Sequence, residues 1–311
     1  MRYPYGEMTF AGVSATGDLA REVRREINKK YSVGPTYLHE WHDSLRNLPA
    51  TVRVLCVGMD VGGFPKNLRE DFDRRGLEFL GEVISVDFSP VRIQHLKHAF
   101  RDDTRFTFLL DDPTKLRFVD GYPVDGQPTV PAHSFDVVIC TYALHDTDVR
   151  DPDRALKGLA RSLKDDGFCL VATHARSSFP ELLTLYRQAC VAEKLRIRPS
   201  PDFKHFDNFA QEDALPRLEK WFGDVVFDSC DTSLLFERRQ GNALEKFMEY
   251  VEYFPFPALG HNDINEEARA AVRARMKDMA AESLERDGYL QVSKPSGVYL
   301  STLPRRVDKR G

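Results

Sequence analysis

The 311-residue chain is expected to fold around a doubly wound α/β sheet, and three observations carry that expectation. An apolar run enters a glycine-rich turn in VRVLCVGMDVGG, Val52–Gly63. About twenty residues on, a second apolar run, VISVDFSP, ends in an acid at Asp87. Short apolar runs then keep alternating with helical stretches as far as His174. Strand, Gly-rich turn, helix, strand and terminal acid make the nucleotide-binding half of such a sheet. Glycine allows a backbone to come close to a ligand where a Cβ would collide.

Each element has its own local reason. Residues 1–12 read as a loose arm. From Asp18 to Leu48 the pattern is helical, with Leu19, Val23, Ile27 and Tyr31 at helical spacing and a break near Ser32–Pro35. Strands are expected at 53–57, 83–87, 106–110, 136–141 and 168–173, with helices between them at 64–75, 90–99 and 151–164. Pro65 suits a first helical turn and Gly76 a helix end. The Gly- and Pro-rich stretch 119–133 reads as a surface excursion, and Gly167 as a turn. A helix follows at 179–194 and a short one over 213–221, then strand-like DVVFDS and SLLFER. Residues 242–288 break the αβ rhythm with LEKFMEYVEYFPFPAL and a long helical run, and YLQVSKPSGVYLST reads as a hairpin or last strand pair turning at Gly297.

Composition narrows the function classes. Apolar content of 42% and charged content of 30% are ordinary for a globular enzyme. A net charge of −4 offers no general basic field for nucleic acid. Five scattered cysteines, an odd number without a CxxC pair, argue against a disulfide framework and against zinc. His39 and His42 in HEWH are three apart, not the four of a zinc-protease helix, so no metal is expected. No stretch approaches the ~20 apolar residues of a membrane span, and a cytoplasmic location is the default expectation.

The glycine spacing narrows the ligand. A dinucleotide fingerprint requires glycine at 58, 60 and 63, and position 60 is Asp. A carboxylate there repels phosphates but not a cationic ligand such as S-adenosylmethionine. Further on come RFTFLLDDPTKLRF, with acids at Asp111 and Asp112, then HSFDVVICTYALHD, then the helix and strand of DPDRALKGLARSLKDDGFCLVATH. In this order the motifs resemble the class I S-adenosylmethionine-dependent methyltransferases of the small-molecule type, over residues 20–303.

The resemblance implies a Rossmann-like seven-stranded sheet, mostly parallel with a late antiparallel strand. It also implies an N-terminal helical lid (1–50), a cofactor-binding core (51–241), a helical insertion over the active site (242–288), and final strands and tail (289–311). It implies S-adenosylmethionine as cofactor. Gly58, Asp60 and Gly62 stand in the first loop, Asp87 and Phe88 at the ribose, Asp112 and Pro113 at the adenine, with Tyr142 beside the cofactor; Tyr31, at the helix break, either faces the cofactor too or is a core or surface tyrosine. The implied reaction is methyl transfer to a small molecule, without nucleic-acid or membrane partners and with homodimerisation open. Other chemistry on the same cofactor, such as cyclisation, and a non-catalytic homologue are the alternatives.

Two positions depart from the pattern: the usual acid before the first glycine is Cys56, and the middle glycine is Asp60. Either Asp60 takes over part of the acid's work or it points to solvent in an altered turn. His145 and His174 follow the fourth and fifth strands and are the candidate general bases. Tyr250, Tyr253, Phe254 and Phe256 either line an apolar substrate pocket or form a packing seam. If Asp60 faces the cationic end of the cofactor, Asp60→Asn weakens S-adenosylmethionine binding more than binding of an uncharged adenosine fragment. Calorimetric titration of both ligands checks this, and equal effects on both reject it.

Overall fold

The computed structural model describes residues 18–34, 43–45, 47–58, 63–87, 90–111, 117–119, 129–145, 151–195, 208–252, 254 and 265–305. In chain order the elements begin with α1 (Asp18–Tyr31), β1 (Arg53–Val57), α2 (Gly63–Arg74), β2 (Glu82–Asp87), α3 (Pro90–Ala99) and β3 (Phe106–Leu110). Then come β4 (Arg117–Val119), β5 (Thr129–Pro131), β6 (Phe135–Thr141), α4 (Pro152–Ser162), β7 (Leu163–His174), α5 (Pro180–Ala192) and α6 (Gln211–Leu218). The last are β8 (Phe222–Asp231), β9 (Leu234–Glu237), α7 (Ala243–Glu252), α8 (Glu266–Asp287), β10 (Tyr289–Val292) and β11 (Pro295–Pro304). Two compact units emerge: a sheet unit of 37–176, 205–230 and 296–311, and a helical unit of 1–36, 177–204 and 231–295.

The sheet unit holds seven strands in the order β3-β2-β1-β6-β7-β11-β8. β1 runs parallel to both β2 and β6, β2 parallel to β3, and β6 parallel to β7. β11 returns antiparallel against β7. This is the expected Rossmann-like sheet with its late antiparallel strand. Its central strands are apolar on consecutive residues because both faces are covered. Leu55 and Val57 face one core with Ile84, Val86, Val138 and Cys140, together with Leu156 and Leu159 of α4. Val54 and Cys56 face the other with Val83, Ile139, Leu68 and Phe72 of α2 and Leu96 of α3.

The helices start and stop for chemical reasons. Asp151 caps α4 by accepting from the Arg154 backbone N–H at 2.9 Å, and Pro152 occupies the first turn. Gly76, with φ of 64°, closes the turn after α2.

Three expectations about loops are corrected. The stretch 119–133 contains a strand: β4 and β5 pair in parallel, and Val130 is fully buried. Gly167 is not a simple turn, because Leu163 already pairs with Phe135 and Phe168 pairs with Val137, so 164–167 bulge opposite Asp136. Gly297 lies inside β11, opposite Thr173, and the final segment is no hairpin. β10 pairs instead with β9, antiparallel, in a separate two-stranded sheet.

The helical unit is assembled from three separated stretches, 1–36, 177–204 and 231–295. Its longest helix, α8, is capped by Asn265, which accepts from the Ala268 N–H at 2.8 Å. It ends on Gly288 at φ 79°. Val272, Met276, Ala280 and Leu284 form one buried stripe at four-residue spacing.

Phe254 belongs to this unit's core. It is 6% exposed, packs edge-on to Phe179 at 5.0 Å and lies 6.3 Å from Tyr250. Tyr253 and Phe256 lie outside the described residues. Phe254→Ala should therefore act on stability, with a loss of about 3–5 kcal/mol in urea denaturation. A loss under about 1 kcal/mol would reject the core assignment.

Candidate functional site

The parallel strands of the sheet unit carry a glycine, an acid and a group of rings at or just past their carboxyl ends. At the end of β1, Gly58 adopts φ 69° and its N–H donates to the Val86 carbonyl at 3.0 Å. A Cβ built on Gly58 would stand 2.0 Å from the Cβ of Ala143, two residues beyond β6. Only glycine fits this backbone and this space. Asp87 ends β2, fully buried, opposite Leu110 of β3. Its carbonyl accepts from the Asp111 N–H at 3.1 Å, which fastens the end of β3 to the end of β2.

The ends of β6 and β7 carry a ring cluster. Tyr142 has a left-handed backbone, φ 51°, and its N–H donates to the Ala172 carbonyl at 2.8 Å. A non-glycine residue held there costs on the order of 1–3 kcal/mol, a sign of a position determined by its surroundings. Its ring stacks on His174, with centroids 4.4 Å apart and planes at 29°. His145, 7% exposed, lies 5.8 Å from His174 and 6.4 Å from Tyr142, ring centre to ring centre. His174 Nδ1 lies 3.0 Å from Ser296 Oγ, on β11. Within β7, Thr173 Oγ1 donates to the Phe209 carbonyl at 2.9 Å, and beyond the strand Arg176 pairs with Asp213. The Arg176 guanidinium holds the Asp213 carboxyl below the usual carboxylate range.

The structure thus brings Gly58, Asp87, Tyr142, His145 and His174 to the same edge of one sheet. Asp60, Gly62, Phe88, Asp112 and Pro113 lie outside the described residues. Tyr31 belongs to the helical unit, 3% exposed, stacked on Phe236 at 4.7 Å, with its hydroxyl donating to Asn242 Oδ1 at 3.1 Å. That is the packing role of a core tyrosine, the second of the two expectations for this residue. Cys56 is a neutral core residue, its thiol pushed far up by burial, so it supplies no charge in place of the acid it replaces. Burial likewise raises Cys140 to about 12. Among the described residues no cluster of His, Cys, Asp and Glu could hold a metal ion, and no helix is long and apolar enough to cross a membrane.

Two residues escaped the sequence reading. Ala143 limits what can stand at position 58, and Ser296 meets His174. Neither carries a local signal, since both matter through partners 85 and 122 positions away.

A family model described as a methyltransferase domain matches residues 21–220. No curated protein matches. Among solved structures, the phosphoethanolamine N-methyltransferase 2 of Haemonchus contortus in complex with S-adenosyl-L-methionine is similar at 14% identity and a TM-score of 0.50, covering 93% of this chain and 58% of that one. The same H. contortus enzyme with phosphomonomethylethanolamine and S-adenosylhomocysteine gives 14% identity and a TM-score of 0.49, covering 98% and 62%. The [4+2]-cyclase SpnF gives 17% identity and a TM-score of 0.47, covering 94% and 96%. The chain spans about three fifths of the length of the H. contortus structures.

The Gly58 contact is open to test. Gly58→Ala should destabilise by roughly 1–3 kcal/mol or more, from backbone strain and overlap together. Adding Ala143→Gly removes the overlap and should recover part of the loss, leaving the cost of the positive φ. Denaturant titration of the three variants checks this, and full additivity would show that the two sites do not meet.

Proposed function

The chain belongs to the methyltransferase-domain family, and on that premise we propose that it transfers the methyl group of S-adenosylmethionine to a small-molecule acceptor. The observation that carries the reading is Asp87, a fully buried carboxylate at the tip of β2 with glycine at the neighbouring tip of β1. An ionised carboxylate is acceptor-only and holds two oxygens side by side. That pair of acceptors fits the two hydroxyls of a vicinal diol, and Gly58, which admits no side chain beside Ala143, brings the β1 backbone to the same edge. The residues present therefore fit the nucleoside part of S-adenosylmethionine. We assign Asp87 to its ribose hydroxyls, Tyr142 to packing beside it, and Asp60 and Gly62 to the methionine end. Phe88 goes with Asp87, and Asp112 with Pro113 to the adenine.

When bound, S-adenosylmethionine supplies an electrophilic methyl group on a sulfur that leaves as a neutral thioether. What remains for the protein is mainly to hold two reactants in line and exclude water. The end of β7 is suited to the second reactant. His174 is half-buried, whereas His145 is 7% exposed, so His174 is the better placed to take a proton from an acceptor. His145 then packs beside it as a second polar ring. The overall negative charge favours a small acceptor over a polynucleotide, whose phosphates it would repel.

Calorimetric titration with S-adenosylmethionine and S-adenosylhomocysteine tests the cofactor. Asp87→Ala removes two charge-assisted hydrogen bonds, each worth about 1.5–3 kcal/mol. Affinity should fall at least tenfold. An affinity unchanged within twofold would sink the assignment. Mass analysis of candidate acceptors tests the reaction: S-adenosylmethionine that binds but is never converted to S-adenosylhomocysteine rejects methyl transfer.

A further inference from the structure

The geometry points to Ser296 as a positioning residue that sets the tautomer of His174, making Nε2 the ring nitrogen that takes the acceptor's proton. The inference rests on the methyl-transfer reading above and deepens it. His174 and Ser296 are directly paired across the antiparallel β7 and β11 strands, so their side chains stand on the same face of the sheet. Ser296 is 1% exposed, and its Oγ is 3.0 Å from His174 Nδ1. One face of the imidazole is stacked on Tyr142 at 4.4 Å. Tyr142 is itself immobilised by its left-handed backbone and its bond to the Ala172 carbonyl. The ring is thus held along one edge and over one face, and Nε2 is the nitrogen on the other edge.

A neutral imidazole carries its proton on one nitrogen and its basic lone pair on the other. The hydrogen bond made by one ring nitrogen decides which role the second plays. With Nδ1–H donating to Ser296 Oγ, the lone pair lies on Nε2. In the reaction the acceptor's X–H bond breaks and its proton goes to that lone pair. The bonding electrons stay on the acceptor atom, which forms the new bond to carbon. The imidazolium afterwards returns the proton to water. Were Nδ1 the basic nitrogen, its lone pair would be spent on a buried serine and Nε2–H would present a donor to a group that must lose a proton.

Proton–nitrogen correlation spectra of the full chain, labelled with 15N at histidine and recorded at a pH where the ring is neutral, read the tautomer directly. Loss of signals in His174→Gln assigns the residue. The expected result is His174 protonated at Nδ1 in the unaltered chain, a change to the Nε2-protonated or a mixed form in Ser296→Ala, and recovery in Ser296→Thr, which keeps the hydroxyl. Thr rescue is an outcome that simple packing at position 296 does not produce. His174 protonated at Nε2 in the unaltered chain overturns the proposal without any variant, so a failure of Ser296→Ala to fold does not shelter it. A tautomer indifferent to the hydroxyl overturns it as well. Because the spectra need no cofactor, this failure is separable from that of the underlying reading. The latter shows as absent S-adenosylmethionine binding in calorimetry and would strike down the proton-taking role even with the tautomer as expected.

Discussion

Burial of β1 on both faces, between β2 and β6, is the constraint on which the rest of the sheet unit depends. Val54, Leu55, Cys56 and Val57 are each 2% exposed or less, alternating between two cores. Each such side chain contributes about 1.5–3 kcal/mol relative to exposure. A charge at any of these positions would lose its hydration without gaining a partner. Polar chemistry is therefore displaced along the strand axes to the ends. Cys56 illustrates the rule from inside: burial keeps it a neutral thiol. Asp87, one residue past Val86, places the carboxylate of β2 at the strand's last residue.

The parallel register then decides what meets at that edge. Val57 pairs with Val86 and with Cys140, and Cys140 pairs with Val171. The residues that follow, Gly58, Asp87, Tyr142 and His174, consequently arrive together although they are spread over more than a hundred positions. The close approach of Gly58 to Ala143 excludes a side chain between β1 and β6. The hydrogen bonds from Gly58 to Val86, from Asp111 to Asp87 and from Tyr142 to Ala172 fasten neighbouring ends to one another. Such a rim is fastened by its own backbone hydrogen bonds.

Much of this was legible because its causes are local. Consecutive apolar residues in VRVLCV and FDVVIC signal strands covered on both faces, and Gly58 and Asp87 declare themselves by type and position at the strand ends. The first five strand positions of the central sheet, the helices between them and the Asp151–Pro152 helix start follow from short-range pattern and capping. Tyr31 shows the limit: helical spacing identifies its face, but whether that face meets a ligand or Phe236 depends on residues two hundred positions away.

By itself, then, the sequence determined the αβ alternation, the glycine and the acid at the tips of the first two strands, and the placing of two histidines at or just past the ends of the fourth and fifth parallel strands. The tertiary structure alone decided where the last segments go. In YLQVSKPSGVYLST a turn glycine and two strands suggest a hairpin, yet β10 pairs with β9 and β11 pairs with β7. The physical reason is that an antiparallel ladder offers equivalent hydrogen bonds to any partner. Partner choice is settled by burial: Val298 and Tyr299 find the two cores of the large sheet, while Leu290 and Val292 are buried in the helical unit. That choice, invisible in local pattern, is what carries Ser296 to His174.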